Sequence, residues 1–111
     1  MNPIQQSNIE FAKRGIELLA PAAAKNMPFQ LMLRAGDDGA LYYILEQYVA
    51  QHHSMVAKVL MVQLWKRVQN GTGMDLLLSA DGVKEVYHIL TDYVVSRELP
   101  ESVVESLKEV S

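Results

Sequence analysis

The sequence contains no cysteine. That excludes a disulfide framework and any chemistry carried by a thiolate, and it fits a reducing compartment. Catalytic signatures are missing as well. No Gly-x-Ser-x-Gly elbow presents a serine nucleophile. Asn70-Gly71-Thr72-Gly73 is too short for a phosphate-cradling loop and lacks its lysine pattern, so it reads as a turn. Asp37-Asp38-Gly39 lacks the remaining ligand positions of a calcium loop. There is no internal repeat and no low-complexity tract beyond Ala22-Ala23-Ala24.

The first residues do not form a basic stretch followed by an apolar run, the pattern of a secretory leader. The most apolar stretch, residues 41–65, is interrupted by Glu46, Gln47, Gln51, His52, His53, Lys58 and Gln63. A bilayer span tolerates few such groups. The expectation is a soluble, cytoplasmic protein with no membrane partner, no cofactor and no enzymatic activity.

What is present is apolar residue. Half of the 111 residues are hydrophobic and about a fifth are charged, a globular balance for one domain. The net charge of −3 gives no general reason to expect nucleic acid as a partner. It is unevenly spread: residues 75–111 carry eight acids and three bases, whereas residues 1–74 carry five acids and seven bases. Opposite ends of this kind can attract each other across a dimer or steer a partner.

Helical spacing dominates the chain. Residues 1–6 read as a loose tail and 7–111 as a single helical domain. Ser7-Asn8-Ile9-Glu10 has capping-box spacing, and Ile9, Ala12, Ile16 and Leu19 follow on one face. Pro21 is expected to end or kink that helix. Pro28 can open a short helix over 29–35, stopped by Gly36, with Asp37 or Asp38 capping the next. From there Leu41, Ile44, Leu45, Tyr48, Met55, Val59 and Val62 form a stripe at spacings of three, four and seven. The spacing favours one long, gently bent helix over residues 38–70, about 45 Å at 1.5 Å per residue. A break at His52-His53-Ser54, with Ser54 as a new cap, is the competing arrangement. A helical turn is expected over 74–78. Another helix follows from Asp81-Gly82, with Val83, Val86, Tyr87, Leu90, Tyr93 and Val94 on one face. A last one starts at Pro100, burying Val103, Val104 and Leu107 and exposing Glu101, Glu105 and Glu109. No alternating strand pattern is evident. The fold class is therefore all-α, with about five helices around a long apolar central one, in a dimeric bundle.

Two constellations resemble chemical sites. Glu85-Val86-Tyr87-His88 has the Glu-x-x-His spacing of di-iron bundles, but those need two such motifs and two further glutamates. This chain offers one, on a polar face, with Glu46 or His52 as the only further candidates. His52 and His53 point about 100° apart on a helix and cannot chelate one ion as a pair. His52 falls on the apolar stripe, where a buried histidine can act as a pH-sensitive element in an interface.

The stronger feature is apolar excess. Nine of eleven residues in 55–65 and eight of ten in 41–50 are apolar. Tyrosine and tryptophan suit interface hot spots, and methionine suits permissive binding surfaces. Leu41, Tyr42, Leu45, Tyr48, His52, Met55, Val59, Met61, Val62 and Trp65 are the candidate partner or dimer interface. The expected function is a non-enzymatic interaction module, a homodimeric small regulator that sequesters another protein, for example as an anti-activator of a transcription factor. The alternatives are a direct DNA-associated regulator, which requires a basic recognition helix, and a small metal-binding protein or enzyme using Glu85 and His88.

Overall fold

A computed structural model describes the backbone of residues 3–70 and 73–98 and the side chains of 6–65 and 73–97. The order is α1 (Pro3–Lys25), β1 (Phe29–Leu33), α2 (Asp37–Val49), α3 (Met55–Asn70), β2 (Met74–Leu78) and α4 (Ala80–Glu98). Among the described residues there are four helices and one two-stranded sheet, not an all-helical set of about five. The helix expected from Pro100 lies outside the described residues.

α1 starts at Pro3, so residues 3–6 are helix rather than loose tail. Proline suits the first helical position, where its missing N–H has no intrahelical partner to lose. Ser7 is therefore inside the helix rather than capping it. Pro21 does not end α1, which continues to Lys25. Pro21 sits on the solvent side, while Leu19 and Ala22 beside it stay in the core. Their burial outweighs one lost backbone hydrogen bond.

The strands overturn two helical expectations. Residues 29–33 and 74–78 pair antiparallel, with Leu31 opposite Leu76 and Leu33 opposite Met74. Both strands follow the same alternation, with their third and fifth residues buried. Leu31, Leu33, Leu76 and Leu78 join the core, while Gln30, Met32, Asp75 and Leu77 face outward. Period-two burial is the strand signature. It was hidden because outward Met32 and Leu77 are themselves apolar.

The long central helix is also corrected. α2 ends at Val49 and α3 begins at Met55. The competing arrangement, a break with Ser54 as cap, is the one adopted: the Ser54 hydroxyl accepts the Ala57 N–H at 3.2 Å. The cap of α2 differs from expectation. Gly36 occupies the N-cap position with φ 93° and no side-chain cap bond. Asp37 instead accepts the Arg34 N–H at 3.0 Å and the Arg14 guanidinium at 3.2 Å. It thereby ties the β1–α2 turn to α1, and both Asp37 and Asp38 favour the positive helix end.

α1 packs along α4, and α2 along α3. The shared core holds Leu19, Leu41, Ile44, Leu64, Val86 and Leu90 together with the inner sheet face.

Gly73 controls the approach to β2. Its φ is +76°, and a Cβ there would lie 2.4 Å from the Leu33 carbonyl oxygen. Gly36 has a similar φ but open space around it. Gly73→Ala is therefore expected to lose about 2–4 kcal/mol of stability, from left-handed strain plus a backbone clash. Gly36→Ala should lose only about 1–2 kcal/mol from strain alone. Urea unfolding followed by circular dichroism checks the order; equal losses would contradict the close packing of Gly73 against β1.

Candidate functional site

α3 is apolar on two sides. Ala57, Leu60 and Leu64 recur at spacings of three and four and enter the core. Met55, Val59, Val62 and Trp65 recur at four, three and three on the opposite side and face solvent; Val62 is 76% and Met55 64% exposed. The turn over residues 50–54 produces this division. In an unbroken helix, residues 55, 59 and 62 would continue the buried row of Leu41 and Leu45. The break re-phases the helix, so α3 buries a different row and leaves the old one bare.

The ten candidate residues therefore separate. Leu41 and Leu45 are completely buried in the core of the single chain. Tyr48 and His52 lie toward α4, lining a different cleft. Tyr42 and Met61 are half-buried, and with Val62 and Trp65 they line a groove of about 740 Å³ between α2 and α3. Met55 and Val59 are on the other flank of α3, beside Leu77 of β2. Within the groove the Tyr42 and Trp65 rings lie 5.5 Å apart at a 41° tilt, an arrangement aromatic pairs favour. Lys58 and Glu46 stand at its margins. Val49 also lines it and was missed, because on a continuous helix it falls off the stripe. Leu77, 75% exposed, and Met32, 73% exposed, were missed with the strands that carry them.

The cleft between α2 and α4 has a different chemistry. It measures about 470 Å³ and is lined by Gln47, Gln51, Asp92, Ser96 and Arg97 among others. His52 is exposed in the turn after α2 rather than buried, and its ring stacks on Tyr48 at 4.6 Å. His88 meets Tyr48 edge-on at 6.2 Å. Burial, then the nearby carboxylates of Glu85 and Asp92, raise the Tyr48 phenol above its ordinary pKa, so it remains protonated at neutral pH. Arg97 lies 4.1 Å from the centre of the Tyr93 ring, a cation–π contact. Among the described residues, no three histidine or acidic side chains gather into a metal-binding group, Glu85 and His88 included. No described helix is long and apolar enough to cross a membrane.

No protein-family model, curated protein or solved structure matches this chain.

The two sides of α3 differ in what they contribute to folding. Leu64→Ala opens a cavity in the core and is expected to lose about 2–5 kcal/mol. Val62→Ala removes a solvent-facing side chain and should change stability by less than about 0.5 kcal/mol. Chemical unfolding of both variants at low protein concentration checks this. A large loss at Val62 would mean that its side chain is covered within the single chain.

Proposed function

We propose that the protein is a non-enzymatic interaction module, a homodimeric small regulator that binds and sequesters another protein through α3. The supporting observation is the bare row Met55, Val59, Val62 and Trp65 on a helix whose core-facing row is already satisfied. A single exposed leucine or valine is ordinary on a soluble protein. Four large exposed side chains stand on one helix, Val62 and Trp65 at the groove and Met55 and Val59 on the flank beside Leu77, and exposed apolar surface of this kind marks binding sites. The neighbouring groove has the shape that receives an amphipathic helix at spacings of three and four. Sequestering the assembly surface of another protein, as an anti-activator of a transcription factor does, is the concrete form of this function. α3 contains Lys58, Lys66 and Arg67 but no acid, and it is largely apolar. A helix of that composition suits an apolar, mildly acidic protein surface better than a DNA groove.

The double substitution V59E/V62E places two carboxylates in the patch without touching the core. Light scattering across a concentration series should show the wild-type chain approaching a dimer and the variant remaining monomeric, with an unchanged helical spectrum. A wild-type chain that stays monomeric at its highest soluble concentration would sink the homodimer. Loss of helical signal in the variant would place Val59 and Val62 in the core rather than at an interface.

A further inference from the structure

The cleft between α2 and α4 has no part in the interaction surface on α3, and its chemistry is that of a small-molecule site. We propose that it binds a free α-amino acid with an apolar side chain, Arg97 taking the carboxylate and Asp92 the ammonium group.

At about 470 Å³ the cleft falls within the range of small-ligand pockets. Ile44 and Ile89 line it yet are each only 1% exposed, so they form its floor. Around that floor stand polar side chains, Gln47 and Gln51 from α2 and Asp92 and Arg97 from α4. An apolar base takes an apolar group, and convergent polar groups above it fix the orientation of the ligand.

The two charges are uncommitted. Among the described residues neither Asp92 nor Arg97 forms an ion pair. Arg97 donates to the Ser96 hydroxyl at 2.8 Å, and its planar fork keeps further donors for a carboxylate. Asp92 and Arg97 are five positions apart on α4, about 7.5 Å along its axis. They set opposite charges along one wall of the cleft. The field is negative toward Tyr48, whose phenol is pushed upward by burial and then by the Glu85 and Asp92 carboxylates. A simple anion is opposed by that end, and a simple cation by Arg97. A zwitterion satisfies both.

Tyr93 supplies an independent indication. It lines the cleft and is 3% exposed, and its phenol oxygen has no hydrogen-bond partner among the described residues. A buried hydroxyl in that state costs stability and calls for a partner. The Arg97 guanidinium covers the same ring at 4.1 Å from its centre. A carboxylate drawn to Arg97 therefore arrives beside a phenol that can donate to it.

The probes are L-leucine, L-methionine and L-phenylalanine, titrated calorimetrically into the full chain at neutral pH. At least one should bind saturably, with one site per chain. Acetylating the amino group of that probe removes its cation, and amidating its carboxyl group removes its anion. Each change should weaken binding at least about tenfold, the loss of one charge-assisted contact. Asp92→Asn and Arg97→Gln should weaken it to a similar degree with an unchanged helical spectrum, and Arg97→Lys should recover part of the loss. The acetylated and amidated probes test the wild-type chain, so the result does not depend on any variant folding. No saturable binding of any probe up to about 10 mM would overturn the proposal. So would acetylated and amidated forms that bind as tightly as the free amino acid, or binding that survives both Asp92→Asn and Arg97→Gln.

Discussion

Among the described residues four helices and a two-stranded sheet share one small apolar core, and the five-residue turn between α2 and α3 decides which apolar residues are admitted to it. The Ser54 hydroxyl, bonded to the Ala57 N–H, starts α3 on a new phase. Ala57, Leu60 and Leu64 then point inward, and Met55, Val59 and Val62 are turned out. A chain of this length buries a smaller fraction of its surface than a large one. An apolar row left over from the core consequently has nowhere to go but the outside. The proposed interaction surface is the direct result of that turn.

The sheet supplies the second constraint. β1 follows α1, β2 precedes α4, and their pairing joins segments 45 positions apart in the chain. The pairing brings Gly73 against the Leu33 carbonyl and seats Leu31 and Leu76 under the helices. Such a ribbon is only marginally stable alone. Its inner leucines belong to the same buried cluster as the core residues of the helices, and β2 packs against α4, so sheet and helices stabilise each other. The same arrangement leaves Met32 and Leu77 outside, and Leu77 extends the apolar flank of α3.

Polar chemistry is gathered elsewhere, between α2 and α4, where Tyr48 holds His52 and His88 against its ring and Arg97 covers Tyr93. The histidine–tyrosine contacts are on one side of α2, and the mainly apolar groove is on the other.

Much of the helical content was legible because it is written locally. The rows Ile9–Ala12–Ile16–Leu19 and Val83–Val86–Leu90 repeat within a few residues, and each was recovered as a buried helical face. The apolar excess of residues 41–65 was equally plain. The strands were not legible, because five-residue apolar runs carry no reliable period and their partner lies in a distant segment. Ser54 was visible as a possible cap, yet the stripe running across it at helical spacing argued for continuity. Composition determined that this chain is rich in apolar helix and holds more such surface than one small core uses comfortably. Tertiary structure alone decided which side of α3 is left over, because that depends on competition between α2, β2 and α4 for the same core space.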